Sequence, residues 1–340
     1  MKNVVIITIA LLAFVILTSL AVHEADPYEL KYPANFGGRF VIPDDNPTTK
    51  EGVALGRMLF YEERLSSNNK LSCASCHKQQ FAFTDNQRFS FGVDGTATRR
   101  NSMSLANLLW VRNLFWDGRA GSLEQQAVVP LTDPHEMGQS LEASGRKLSG
   151  SKVYPQLFEK AFGSKEIDGD RILKALAQFE RTMISANSKY DLYLRGEYKL
   201  SEAEQRGLVT FSNRGNCVHC HGGTKTMIEL FHNNGLDSIH ADGGREDFTR
   251  QTTDRGRFRV PTLRNIALTA PYMHDGRFNS LPEVLDHYGD HIVKSETLSP
   301  FLSRLTLSTQ EKEDIVAFLQ TLTDNEFIND PKFSDPGTNP

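Results

Sequence analysis

Two short stretches constrain this chain more than any others: Cys73-Ala-Ser-Cys76-His77 and Cys217-Val-His-Cys220-His221. Each has the C-x-x-C-H spacing, in which two thiols add to the two vinyl groups of one porphyrin and the adjacent histidine ligates its iron. A chain built this way must fold around a large flat apolar group in two places. A thioredoxin-like redox pair or half a zinc site would explain one C-x-x-C, and two pairs could form a four-cysteine zinc site. Neither explains a histidine directly after the second cysteine both times. The motifs use all four cysteines of the chain, which leaves none for a disulfide.

The motifs lie about one domain's length apart, so the expectation is one haem c per domain. The 340 residues suffice for two domains and ample core, and 39% hydrophobic with 24% charged residues is a soluble globular composition. A net charge of −4 gives no reason to expect a nucleic-acid partner. Residues 1–22 combine Lys2 with an apolar run from Val4 to Val22. They read as a secretory signal peptide or an uncleaved membrane anchor, with Ser19-Leu-Ala21 only a fair cleavage site. Either delivers the rest across the membrane, so a periplasmic protein, soluble or anchored to the inner membrane, is expected. The expected domains are an extended lead-in over 23–47, an N-terminal haem domain over 48–187 and a C-terminal haem domain over 188–340.

The fold class expected is mainly α, with two cytochrome c-like haem domains and long loops. Val53, Leu55, Met58 and Leu59 fall at helical spacing between Thr49 and Tyr61, and Ile172, Leu176, Phe179 and Met183 mark a helix over about 170–185. A short helix is expected over 104–110 and another from near Ser122, with loops over 81–104, 132–139 and 236–259. Ser201…Glu204 and Ser308…Glu311 read as capping boxes opening helices. No repeat beyond the paired haem motifs is apparent.

The chain resembles the bacterial dihaem cytochrome c peroxidases, including their MauG-like branch. The likeness runs from about Ile42 to Thr323. Besides the haem motifs it is carried by Leu55-Gly-Arg-Met-Leu-Phe60, Phe115-Trp-Asp-Gly-Arg-Ala120, Val260-Pro-Thr-Leu-Arg-Asn265 and Ala270-Pro-Tyr-Met-His-Asp-Gly276. The resemblance implies that the haem over His77 is the peroxide site. Typical members carry a distal histidine eight residues before Asn101, where this chain has Val93, and the loop 78–101 contains no histidine. An open sixth position on the first iron follows. Glu136 matches the distal glutamate and Gln126 the distal glutamine; His135 is a rival distal ligand. Trp116 matches the indole between the two haems, whereas Trp110 has no counterpart. Asn101, Thr269 and Pro271 match calcium ligands. Tyr288 falls nineteen residues after Thr269, where typical members place a methionine and MauG-like members a tyrosine, as upper ligand of the haem held by His221. Met273, His274 and His287 are its rivals, and His219 faces the wrong way.

The resemblance implies a peroxidase that reduces hydrogen peroxide with electrons from a small cytochrome c or cupredoxin. The alternative is a MauG-like enzyme that uses peroxide to oxidise a protein side chain. A pure electron carrier would have no use for Glu136 and Gln126. Against the best-known MauG task, Gly215 stands where an aromatic relay beside the second motif would be. Purified protein is expected to carry two haems per chain in a pyridine haemochrome assay, and the Cys73→Ala/Cys76→Ala chain one.

Overall fold

The computed structural model describes residues 25–302 and 306–337. The leader over 1–22 lies outside them. Among the described residues no helix is long and apolar enough to cross a membrane.

The fold is mainly helical. The first helix, α1 (Lys50–Phe60), opens where the Thr49 side chain accepts from Gly52 N–H. The next four are α2 (Leu123–Thr132), α3 (Leu141–Ser149), α4 (Tyr154–Phe162) and α5 (Gly169–Arg181). Then come α6 (Lys189–Leu194), α7 (Glu202–Ser212), α8 (Leu281–Asp290) and α9 (Thr309–Gln320). Both expected capping boxes are present, Ser201 with Glu204 and Ser308 with Glu311. The helix expected over 170–185 stops at Arg181. The short helix expected over 104–110 shrinks to one 3₁₀ turn, Leu108–Trp110. Among the described residues one small sheet pairs β1 (Phe231–His232) antiparallel to β2 (Phe258–Arg259).

Two hydrophobic cores form. The first gathers α1 to α5 around Leu55, Leu59, Phe60, Phe158 and Phe179. The second gathers α7, α8 and α9 around Phe211, Leu285, Ile315 and Phe318. Each is built on the same crossing. A Cβ on Gly56 of α1 would lie 1.9 Å from the Ala175 carbonyl oxygen and 2.9 Å from Phe179 Cβ of α5. A Cβ on Gly207 of α7 would lie 1.9 Å from the Asp314 carbonyl oxygen and 2.9 Å from Phe318 Cβ of α9. In both pairs a phenylalanine follows four residues after the glycine, Phe60 and Phe211, and both are buried. The internal repetition missed in the sequence is therefore a three-dimensional one: helix pairs in backbone contact, each next to a C-x-x-C-H turn.

The region around residues 186–196, where a domain break is expected, holds α6. Asp191 on it forms a fully buried bidentate pair with Arg264, at 2.6 and 2.7 Å. The Arg264 guanidinium also lies 4.7 Å over the Phe36 ring, which brings the lead-in onto the second half. After α9 the chain returns to the first core, where Phe327 and Phe333 pack on Phe83. Arg100 spans the halves, donating to Asp117 and, through two bonds of 2.7 Å, to Asp242.

Gly56→Val forces α1 and α5 apart and is expected to cost about 3 kcal/mol, the upper range for overpacking. Urea denaturation of the holoprotein, with the exposed Gly150→Ala (φ −72°) as control, measures it.

Candidate active site

The first motif is a single helical turn, Cys73–Cys76, closed reciprocally by Ser72 and Ser75. The chain then turns through two left-handed residues, Ala82 (φ 51°) and Phe83 (φ 62°). Non-glycine residues adopt that region only under constraint. Here the constraint is the buried Phe83 ring, packed on Phe60 and Phe327. The result is a carbonyl aimed at the histidine: His77 Nδ1 lies 2.8 Å from the Phe83 oxygen. That bond fixes the tautomer and leaves Nε2 as the basic nitrogen, as an iron ligand needs. Burial holds His77 below its usual pKa, so it is neutral at pH 7. Burial also pushes the Cys73 thiol well up and the Cys76 thiol to about 11. A reactive redox cysteine needs the opposite shift.

Glu136 sits in the turn after α2. The loop carrying Val93 docks on this turn: Val93 N–H donates to the Glu136 carbonyl at 2.8 Å. Gly92 permits the approach, since a Cβ there would lie 1.7 Å from the His135 oxygen. The Glu136 carboxyl faces Cys76 closely enough to influence that thiol. Burial, then the neighbouring Asp133 charge, raise its pKa against the opposing Arg119. Gln126 is half-buried on α2. His135 points elsewhere: its Nδ1 bonds Asp94 at 2.8 Å on the exposed side. The structure therefore does not bring it into the site as a distal ligand.

The second motif forms the turn Val218–His221, with Cys217 as its cap. The Cys217 thiol is pushed up to about 12 by burial, and His221 down to about 4. His221 Nδ1 is enclosed without a hydrogen-bond partner. Tyr288 on α8 is half-buried, close enough for Cys217 and Cys220 to act on it, and desolvation pushes its phenol to about 12. Its hydroxyl lies 3.5 Å from Asn234 Nδ2, which also lies 3.3 Å from the Met273 sulfur. The two histidine rivals are engaged: His287 Nε2 lies 3.0 Å from the Asn234 carbonyl, and His274 stacks on Phe258 at 3.7 Å. His219 stacks on Phe301.

Between the motifs, Trp116, Asn101, Thr269 and Pro271 line one cavity. Trp116 Nε1 donates to the Asn101 carbonyl at 2.8 Å, and the Trp116 carbonyl accepts from Arg259 N–H at 2.7 Å. Asn101 Nδ2 is spent on the Gln87 carbonyl at 2.8 Å, which turns its Oδ1 free for a cation. A residue that sequence reasoning missed, Arg259, is buried in this cavity wall. Its guanidinium meets the Phe115 carbonyl at 3.2 Å and the Met103 sulfur at 3.2 Å. Its only sequence signal is membership of an arginine-rich stretch read as loop.

The residues fit a porphyrin at each motif. Each offers two half-buried thiols and a half-buried histidine whose pKa is held below its usual value. The four-cysteine zinc reading fails, because Cys73 packs on the first core and Cys217 on the second. Among the described residues no cluster of three or more His, Cys, Asp or Glu is arranged to hold a metal ion.

Comparison with known proteins decides the family. The di-haem cytochrome c peroxidase family matches residues 50–199. A methylamine utilization protein MauG from Methylophilus methylotrophus is 35% identical over 283 residues, 82% of this chain and 84% of that protein. A cytochrome c551 peroxidase from Nitrosomonas europaea is 35% identical over 292 residues, 82% of each chain.

The chain belongs to the di-haem cytochrome c peroxidase family.

Among solved structures, a MauG-like protein associated with microbial copper homeostasis superposes with a TM-score of 0.86 at 38% identity, over 91% of this chain and 99% of that one. As a family member the chain is a dihaem, peroxidase-type oxidoreductase with two haem c groups, on the MauG-like and dihaem peroxidase fold.

Proposed function

We propose that this chain is a periplasmic dihaem peroxidase that reduces hydrogen peroxide to water at the haem over His77. Electrons come from a small redox protein, a cytochrome c or cupredoxin, through the haem over His221. The two haem units are residues 48–187 and 188–340, with Phe327 and Phe333 of the second returning to the core of the first. The observation that carries the reading is the Glu136 turn: a half-buried carboxyl with a raised pKa whose charge acts on Cys76 of the first motif, on a turn whose backbone is held by Val93, where a ligating histidine is absent.

Cys73 and Cys76 bind the first porphyrin and His77 its iron; Cys217, Cys220 and His221 bind the second. When bound, the haems supply the iron that accepts peroxide and the conduit for two electrons. The rest is the protein's own chemistry. Glu136 accepts the proton from the peroxide oxygen nearer the iron and returns it to the departing oxygen as water. The Gln126 amide orients the peroxide. Arg259 and Lys225, with no acidic side chain lining their cavity, hold the porphyrins' carboxylates. The buried Trp116 indole bridges the gap between the two sites. Asn101 Oδ1 with the Thr269 and Pro271 carbonyls holds calcium, a hard cation suited to oxygen donors from separate segments.

Tyr288 would ligate the iron of the second haem. A phenol with a pKa near 12 ionises only against a nearby cation, and ferric iron is one. This placement, with Val93, favours a second reading: a MauG-like enzyme in which the same peroxide site oxidises a side chain of a protein substrate. Steady-state turnover with reduced cytochrome c and peroxide tests between them. Rapid turnover supports peroxidase; slow turnover with oxidation of an added protein supports the second reading.

Glu136→Gln is expected to slow the reaction with peroxide by about 10²–10⁴-fold while both haems stay bound. The wild-type rate falls as pH drops and Glu136 becomes protonated, with an apparent pKa above that of an ordinary glutamate. Stopped-flow mixing across pH measures both. Chelation of calcium is expected to lower turnover and readdition of Ca²⁺ to restore it, as read in the same assay.

A further inference from the structure

The steps above leave one buried acid unused. Glu180, on the last turn of α5, is 5% exposed. Its Oε2 is enclosed without a hydrogen-bond partner, the only carboxylate oxygen in that condition among the described residues. Its charge acts on the Cys73 thiol, which packs on the same core as Phe179 beside it, so the carboxyl lies in the neighbourhood of the first motif.

No cation bonds to it, although the Arg181 charge acts against its protonation. Arg181, its neighbour on α5, pairs instead with Glu124 of α2 and donates to the Asn46 carbonyl at 3.0 Å. Glu124 also accepts from Asn46 Nδ2 at 2.6 Å. On α1, Lys50 pairs with Asp26, Glu51 accepts from Asp26 N–H, and Arg57 donates to the Ser334 carbonyl. On α3, Arg146 pairs with Glu142, and Lys147 donates to the Ser66 carbonyl. A carboxylate at this place accepts no hydrogen bond at Oε2 and is costly. Burial, then the Glu124 charge, push its pKa to about 8 against the opposing Arg181 charge. Glu180 therefore holds a proton at neutral pH, beside a group whose charge changes during the reaction.

We propose that Glu180 is a redox-linked proton group of the first haem. When the haem iron loses one electron, the Glu180 O–H bond breaks and the proton passes to solvent. When an electron returns from the donor, the carboxylate takes a proton back. The added positive charge on oxidised iron favours the carboxylate, and by reciprocity the protonated acid favours reduced iron. The arrangement suits the reaction, because reduction of peroxide to two waters consumes one proton for each electron. The inference rests on the dihaem reading above.

The test is spectroelectrochemical titration of the holoprotein at pH values on both sides of 8. The potential of one haem is expected to fall as pH rises, approaching a tenfold change in the oxidised-to-reduced ratio per pH unit, about 59 mV for a one-electron couple. In Glu180→Gln that slope is lost, and the other haem is unaffected. An unchanged slope in Glu180→Gln with two haems bound, or no slope in either wild-type couple, overturns the proposal. A redox-difference infrared spectrum of the wild-type protein gives an answer independent of the variant's folding. A protonated-carboxyl band that disappears on oxidation supports the assignment, and its absence refutes it. A haem count below two per chain is a failure of the dihaem reading itself.

Discussion

A glycine pressed against the backbone of a partner helix, once in each half of the molecule, is the contact on which the rest depends. Without a Cβ at Gly56 or Gly207, the two helices meet at carbonyl distance. That closeness makes room on one side for a flat group attached to a neighbouring C-x-x-C-H turn. It also explains why each core is rich in phenylalanine: Phe60 and Phe179 in one, Phe211 and Phe318 in the other, each pair within 5.5 Å. A porphyrin edge needs broad apolar walls, and aromatic rings supply the most area per residue.

The two halves then differ where the chemistry requires it. In the first, polar side chains near the motif are left without partners: Glu136, Gln126 and Glu180. In the second, the corresponding space holds Tyr288 and Met273 meeting at Asn234. The two halves thus place different polar groups beside motifs of the same form. Joining them is the clamp on Trp116, whose ring nitrogen and carbonyl are both bonded, one to Asn101 and the other to Arg259. The indole is tied through its ring nitrogen and the main chain beneath it through the carbonyl, and together these hold the residue in one orientation.

Much of this was legible in the sequence, for identifiable reasons. The haem motifs are dictated by covalent chemistry, and the caps at Ser201 and Ser308 by hydrogen bonding within one turn. Local rules read local features. The helix from Thr49 was legible because its apolar face is regular. Four helices were not; one is Leu281–Asp290, which has a proline in its first turn. Leu141–Ser149 carries Gly145 and two serines, poor helix formers, and is held by packing rather than propensity. Tyr154–Phe162 carries a proline in its first turn, and Lys189–Leu194 is a turn and a half in a stretch that reads as linker. The site residues came through spacing against a known family rather than from their own chemistry. Arg259 and Glu180 are invisible in one dimension, because what distinguishes them is the lack of an opposite charge, a property only the folded chain reveals.

The return of Phe327 and Phe333 to the first core has a consequence for the order of assembly. The first core is built mainly from residues 55–183, yet two of its aromatic side chains follow every residue of the second core in the sequence. A chain made from amino to carboxyl end therefore keeps a gap in its first interior until the whole of the second has been made. The segment that carries those two rings acts as a latch, fastened only once both halves exist.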